Sequence, residues 1–578
     1  MNTVSMASFE EVWIVAFATQ SRPGEWPDVH GLVALEVHSQ KQVVLDASTL
    51  GSLDAPPYGI GKAALFVAYG APAQFACHFK LGWGLPANVL DLQAEFKNVM
   101  NNTDQAHPAT LVDALTYYCG KSAAVDSPRL ELRSLSVSAA GQAAPFCARR
   151  PLSLCEMQVE AVASLLMPIM KKSTWAHALL RGRYMKAVAC IERNGIPVEE
   201  ELLARTLLHW KEIRLQVISE VDSDYGVYDG TTFKHKAFAD YLAARSIPWP
   251  MLDSGAPNLQ RDTFKYMAKR YPEIAPLKEL RSSMAQLRTT APTIGSDSRN
   301  RYDLRPFCST TGRNQPSTSA ALFGCPAWMR GFIKAPPGSG LAYIDWSQQE
   351  FGIAAVLSCD QVMTDAYSSG DPYLMFAKQA GAIPPGASKA SHPQERAIFK
   401  ECALAVQYGM GAKALATRTG QTVREAKQLI ELHRNIYQTF WAWSEGVLDF
   451  ALLHGYLKTT LGWTIRVGEK KNKRSIQNFL MQANGSEMLR LACIFGTEAG
   501  VKICATVHDA VLIEAPLDEL EESVVLMQGF MEKASAAILG GFALRSDSEL
   551  FASPQRYVDT RGEDMWKRVM TVIEQSAR

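Results

Sequence analysis

The stretch Leu341–Ser358, LAYIDWSQQEFGIAAVLS, constrains this chain more than any other. Behind a Gly/Pro turn, Leu341, Ala342, Tyr343 and Ile344 form a short apolar run that reads as a buried strand. Asp345 ends that run, and a carboxylate is costly to bury unless something positive meets it. Ser347 and Glu350 follow at capping-box spacing, just before a helical apolar stretch. An acid at the mouth of a strand, with a helix beginning beside it, suits divalent-metal, phosphate or proton chemistry. Standing alone, the same pattern is an ordinary turn Asp and a helix cap.

A chain of 578 residues exceeds what one core can organise, and its length implies roughly three or four domains. With 47% hydrophobic and 20% charged residues it has a globular composition without a disorder signature. The net charge of +1 advertises no global field for nucleic acid, yet a large enzyme can hold a basic cleft against an acidic exterior. Eleven cysteines, with no CxxC pair or Cys/His cluster, argue against structural zinc and a disulfide framework and fit reduced, intracellular thiols. Glu10 and Glu11 precede the first apolar run, the reverse of a signal peptide, and no apolar run approaches the ~20 residues of a bilayer span. A cytoplasmic location is expected.

Residues 1 to about 150 read as α/β. Val12–Phe17, Gly31–Val37 and Lys41–Leu45 are expected strands; Ala63–Tyr69 and Leu111–Tyr118 are more helix-like. Ser134–Ala144 is small and polar, a surface loop or linker. From about Met157 to Arg288 the pattern is helical, with Ala176–Arg193 stopped by Asn194-Gly195, then Asp262–Lys269 and Pro276–Arg288. Their Arg and Lys read first as solvated faces, though such helices can also grip a phosphate backbone. Beyond Gly295 the chain is dense in turn residues and arginine, and Thr311-Gly312-Arg313 lets an Arg project from a tight turn.

Three further signals carry chemistry. On a helix expected from about Gln394 to Tyr408, Arg396, Lys400, Leu404 and Tyr408 recur every four residues and share one face, drifting roughly 40° per step. That stripe spans about 18 Å, enough for a triphosphate at the cationic end and a base at the aromatic end. A second stripe, Arg474, Asn478 and Gln482, follows the basic run Lys470–Arg474. It reads either as a comb for minor-groove acceptors or as a buried polar face satisfying loop carbonyls. In Lys502–Pro516, apolar strand-like runs flank His508-Asp509, which should occupy a hairpin turn. If Asp509 meets Asp345, the pair makes an oxygen-rich site suited to two Mg²⁺ ions about 4 Å apart.

Together these motifs resemble the family A DNA polymerases, the DNA polymerase I group. DWSQQE at 345–350 resembles the family's DYSQIE, and VHD at 507–509 its VHDE. Arg396, Lys400, Tyr408 and Gly409 resemble its nucleotide-binding fingers helix, and Thr311-Gly312-Arg313 matches its TGR. Order and spacing agree from about residue 160 to 570, and DWSQQEFGIAA and QYGMG resemble phage and prophage members most.

The resemblance implies an α/β multidomain chain with a right-hand polymerase fold behind an N-terminal RNase H-like, 3′–5′ exonuclease-type domain. It implies an exonuclease-like domain at 1–160, a helical thumb at 161–300, palm at 301–360, fingers at 361–460 and a second palm portion at 461–578. The implied activity is DNA-directed DNA synthesis, a nucleotidyl transfer with two Mg²⁺ ions. Asp345, Asp509 and the Trp346 carbonyl would hold the metal, and Lys400 would protonate pyrophosphate. Arg396, Lys400, Leu404, Tyr408, Gln348 and Glu350 would line the nucleotide site, with Glu350 excluding a 2′-OH. Arg313, Arg474, Asn478, Gln482 and His508 would track the DNA. Primer-template and dNTPs are the implied partners of a monomer that leaves the membrane alone; replication accessory proteins stay open.

Departures from the family pattern matter. Leu404 stands where Phe or Tyr is usual, and Ala510 where a Glu commonly follows the second Asp. The exonuclease's first motif, Asp-x-Glu, reads Ala16-Phe17-Ala18; Asp91 stands at the second motif and Gln158 at the third. Loss of two metal-binding carboxylates should abolish two-metal hydrolysis, so this domain is expected to keep its fold without the activity. Competing readings are a single-subunit RNA polymerase, against which Glu350 argues, a non-catalytic DNA-binding replication factor with a relict palm, and a metal nuclease.

Overall fold

The computed structural model describes residues 4–103, 109–123, 152–286, 292–467 and 472–576. Two compact units divide the chain: Met1–Gly195 with Asp303–Pro316 and Ala342–Leu550, and Ile196–Tyr302 with Ser317–Leu341 and Phe551–Arg578. The loop expected at 134–144, Lys470 and Lys471 of the basic run, and the end of the helix expected at 276–288 lie outside the described residues.

The first unit opens with a five-stranded sheet of order β3-β2-β1-β4-β5, comprising β1 (Glu11–Gln20), β2 (Asp28–Glu36), β3 (Gln42–Asp46), β4 (Ala64–Ala68) and β5 (Asn88–Asp91). β1 to β3 are antiparallel, whereas β4 and β5 run parallel to β1. The helix-like expectation for Ala63–Tyr69 is therefore overturned. Its Ala and Leu favour helix as isolated residues, but all five positions of β4 are buried between layers, where an unbroken apolar run serves a parallel strand. Alternation along β1 sends Phe17 towards His78 and Trp83, and Ala16 and Ala18 into a cluster on the other face.

Helix α1 (Leu92–Met100) follows β5, capped by Asp91. α2 (Leu152–Met170) lays Cys155, Val159, Val162, Leu165 and Ile169 into the cluster that holds Ala16 and Ala18. Among the described helices it alone is long and apolar enough by length and composition to cross a bilayer, contrary to the expectation that no run comes close. Those apolar side chains are spent on the sheet. α3 (Trp175–Asn194) ends at Gly195 as its Asn-Gly stop foretold.

A four-stranded sheet follows, most of it in this unit. It comprises β6 (Ser339–Trp346), β7 (Lys502–Val507), β8 (Ala510–Pro516) and β9 (Ser546–Ala552), in the order β7-β8-β6-β9. Against it and around it lie α4 (Gln349–Leu357), α5 (Pro393–Gln407) and the 26-residue α6 (Lys473–Glu498). α6 is buried along most of its length, and its Arg490 reaches the carbonyl of Gly312 at 2.9 Å.

The second unit is mainly helical, including the expected helices, observed as Arg261–Arg270 and Ala275–Gln286. Phe238, Trp249 and Phe264 pack with ring centres 4.9–5.5 Å apart. Glu199 accepts from both Lys334 and Arg556 at 2.8 Å.

Candidate active site

Asp345 lies near the end of β6, with Ile344 and Trp346 buried on either side. Beside it, β7 and β8 form the expected hairpin, paired from Lys502↔Glu514 to Val507↔Ala510. His508 turns the chain with φ of 56°, which leaves Asp509 at the hairpin tip. Asp345 Oδ1 is buried without a hydrogen-bond partner. Burial, and then the nearby charges of Asp509 and Asp547, raise its pKa to about 7. Burial also raises Asp509, opposed by its own backbone hydrogen bond and by Arg313. The charge of Asp509 thus opposes the ionisation of Asp345, and that of Glu350 opposes the ionisation of Asp509, an arrangement that a divalent cation relieves.

The capping box expected at Ser347 and Glu350 is not made. Gln348, just ahead of α4, is left-handed with φ of 51° and no side-chain cap closes the helix. Ser347 Oγ instead donates to Asp547 Oδ2 of β9 at 2.5 Å. Glu350 Oε1 accepts from Arg313 Nη2 at 3.2 Å and from Tyr408 Oη at 3.0 Å.

The stripe on α5 is present as spaced. Arg396 pairs with Asp371, the residue that caps the helix Pro372–Gln379. The ring centre of Tyr373 lies 5.7 Å from the Arg396 guanidinium and 5.9 Å from Lys400 Nζ, so one aromatic ring meets both cations. Leu404 is half-buried one turn on, and Tyr408, 41% exposed, caps the helix end. Burial first, then Glu350, raise the Tyr408 hydroxyl to a pKa of about 12.

Arg474 packs against Gly409, where φ is +63° and an added Cβ would lie 2.9 Å from Arg474 Cγ. A side chain there would displace the arginine. Further along α6, Asn478 is buried with Oδ1 unpartnered, and Gln482 bonds to the Tyr408 hydroxyl. Gly312 takes φ of +74° against the Trp463 ring, which aims Arg313 at Glu350. The structure therefore joins Arg313, Glu350, Tyr408 and Gln482 in one chain of contacts. His508 is exposed at the hairpin tip, and Gln348 Oε1 is buried without a partner. Sequence reasoning missed Asp371, Tyr373 and Asp547. The i, i+2 spacing of Asp371 and Tyr373 carries no helical signal, and Asp547 depends on strand register.

In the N-terminal sheet, Ala16 and Ala18 are each 1% exposed within apolar neighbours. Asp91 is buried, and its carboxylate accepts from the backbone N–H groups of Ala71 (2.7 Å), Gln93 (2.9 Å) and Ala94 (3.1 Å). Burial pushes its pKa up while those bonds pull it down. Gln158 is buried on α2. Among the described residues no three His, Cys, Asp or Glu side chains gather as a ready metal cluster, here or in the other half.

Residues 325–544 match the family model for DNA polymerase family A. DNA polymerase I of Deinococcus radiodurans is 29% identical over 217 residues, covering 35% of this chain and 22% of that protein. DNA polymerase I of Aquifex aeolicus is 25% identical over 386 residues (63% and 64%), and the DNA polymerase of Mycobacterium phage D29 is 26% identical over 265 residues (44% and 42%). The chain thus spans less than two thirds of each of these relatives. The POL domain of Pol1 from M. smegmatis, solved in complex with DNA primer-template and dNTP, shares the fold: TM-score 0.72 at 18% identity, over 93% of this chain and 94% of that one. The segment that matches DNA polymerase family A carries Asp345, Glu350, Arg396, Lys400 and Asp509 on the elements just described.

Proposed function

We propose that this chain is a template-directed DNA polymerase that adds dNTPs to a primer 3′-OH by phosphoryl transfer. The observation that carries the reading is the buried, unpartnered Oδ1 of Asp345 beside Asp509, within the segment that matches the family. Two half-buried carboxylates, one opposing the ionisation of the other, are a fitting donor set for hard divalent cations. Asp345, Asp509 and the Trp346 carbonyl would hold two Mg²⁺ ions. When bound, such ions supply activation of the 3′-OH and neutralisation of charge on the leaving pyrophosphate.

The chain's own residues do the rest. Arg396 and Lys400 grip the β- and γ-phosphates, and Lys400 delivers a proton to pyrophosphate. Tyr373 and Asp371 keep those cations in register from below. Glu350, clamped by Arg313 and Tyr408, fills the space a 2′-OH needs and so selects dNTPs. Leu404 and Gln348 border the nucleotide, and Tyr408 stacks near the templating pair. Arg313, Arg474, Asn478, Gln482 and His508 contact primer-template through the minor groove.

The reading extends to domain roles: exonuclease-like at 1–160, thumb at 161–300, palm at 301–360 and 461–578, fingers at 361–460. The sheet of three antiparallel and two parallel strands supports an RNase H-like origin for the first. Its hydrolytic activity is absent in this reading, because Ala16 and Ala18 carry no ligand and Asp91 is spent on a helix cap. The relatives come from bacteria and phage, which supports a bacterium or a phage-infected cell as the setting; action as a monomer in the cytoplasm belongs to the same reading. Primer extension with single dNTPs and Mg²⁺, beside digestion of a mismatched primer, tests both halves. Templated extension without digestion is expected; equal use of NTPs would favour the RNA polymerase alternative, and no extension at all a DNA-binding factor.

A further inference from the structure

The loop that aims Arg313 at Glu350 is fastened to α1, the helix that follows β5 of the N-terminal sheet. Asn101, which ends α1, donates from Nδ2 to two carbonyls, Thr310 O at 2.7 Å and Thr464 O at 2.9 Å. Those oxygens belong to separate segments: the loop at 303–316, and the hairpin that pairs Tyr456–Lys458 with Thr464–Arg466. One turn earlier, Asn98 spends both ends of its amide on that hairpin. Its Nδ2 donates to Gly462 O at 3.2 Å, and its Oδ1 accepts from Thr464 N at 2.8 Å. Lys97 Nζ donates to Pro306 O at 3.0 Å, a second tie to the loop.

Asn98 and Asn101 are 7% and 9% exposed, so these bonds are made away from water, where an unpaired amide or carbonyl is costly. The Thr310 carbonyl also accepts from Trp463 Nε1 at 2.9 Å, and the ring of Trp463 lies against Gly312. The turn closes on itself: Gly312 N donates to Ser309 O at 2.9 Å, and Arg313 N to Ser309 Oγ at 2.7 Å. A turn tied this closely moves as one piece. Displacement at Thr310 is therefore carried through Gly312 to the Arg313 guanidinium, and from there to Glu350.

We infer that Asn101, seconded by Asn98 and Lys97, is a positioning residue for sugar selection, because it fixes the loop from which Arg313 clamps Glu350. The N-terminal domain, whose Ala16 and Ala18 offer no metal ligand, thereby serves the nucleotide site as a scaffold. This inference rests on the polymerase reading above, since it takes Glu350 as the group that rejects a 2′-OH.

Single-nucleotide incorporation by the full chain with matched dNTP and NTP tests it, beside thermal melting of the same preparations. Asn101→Asp keeps the shape of the side chain but sets a carboxylate oxygen against two carbonyls. It is expected to raise the NTP to dNTP ratio of kcat/KM about tenfold, and the milder Asn101→Ser about threefold should the first variant fail to fold. Asn88 on β5 is the matched control, because its Nδ2 also bridges two carbonyls, Lys62 O at 2.9 Å and Ala64 O at 3.1 Å. Asn88→Asp and Asn88→Ser should lower the melting temperature yet keep the ratio within about 1.5-fold of wild type. In an Arg313→Ala background the effect of Asn101→Asp should shrink to within about 1.5-fold, since both act through one loop. An unchanged ratio in the Asn101 variants, an equal rise in the Asn88 variants, or full additivity with Arg313→Ala overturns the inference alone. A wild-type chain that extends no primer, or a ratio that Glu350→Ala leaves unmoved, overturns it together with the reading it rests on.

Discussion

The phenol of Tyr408 donates a 3.0 Å hydrogen bond to Glu350 Oε1, the same oxygen that receives Arg313 at 3.2 Å. A carboxylate held from two sides has little freedom to swing away from a ribose hydroxyl. Glu350→Ala is therefore expected to raise the NTP to dNTP ratio of kcat/KM by roughly 10- to 100-fold, or about 1.4 to 3 kcal/mol of lost discrimination. Tyr408→Phe, which removes one clamp, should move the ratio in the same direction by less. Single-nucleotide incorporation kinetics with matched dNTP and NTP measure both.

Arg396 and Lys400 share the Tyr373 ring, and Arg396 is further tied to Asp371. Arg396→Ala should raise the KM for dNTP about tenfold, the loss of one charge-assisted contact to phosphate. Lys400→Ala should lower kcat as well, because the same ammonium is assigned the proton that leaves with pyrophosphate. A pre-steady-state titration with dNTP separates the two effects.

Placing acids at Ala16 and Ala18 should not produce primer digestion. Ala16 and Ala18 are each 1% exposed within the apolar cluster that also holds Cys155, Val159 and Val162, so Ala16→Asp places a carboxylate in apolar surroundings. The expected cost is about 3 kcal/mol of stability with no gain in mismatched-primer cleavage. Thermal melting and a gel digestion assay together check it.

His78 supplies a pH dependence. Its Nδ1 faces the Gly84 carbonyl at 2.8 Å and its Nε2 the Tyr58 hydroxyl at 2.6 Å, so Nδ1 carries the proton of a neutral ring. Burial lowers its pKa from 6.5 to about 4. The unfolded chain binds a proton more readily, so the stability from neutral His78 is present above about pH 6.5 and is lost as pH falls through about 4. That window is worth about 3 kcal/mol. Denaturant melts between pH 7 and 4 should show this loss, and His78→Phe should flatten that part of the curve.

Much of the site was legible because its chemistry lies on local periodicities. Arg396, Lys400, Leu404 and Tyr408 advertise one helix face by spacing alone, and apolar runs around His508-Asp509 announce a hairpin. What was illegible depends on neighbours distant in sequence. Ala64–Ala68 is a strand because layers cover it on both sides, not because of its own preference. Ser347 lacks its capping role because Asp547, 200 positions later, takes its hydroxyl. Asp547 itself has no local signal: only the register of β6 with β9 gives it a place beside Asp345.

The most direct measurement is templated primer extension by Asp509→Asn, an isosteric change at the hairpin tip, with primer-template affinity measured on the same preparation. Loss of at least about 1000-fold in the extension rate, with DNA affinity within about threefold of wild type, is predicted from removing one of two shared metal ligands. An unchanged extension rate would contradict the assignment of Asp345 and Asp509 as the catalytic pair.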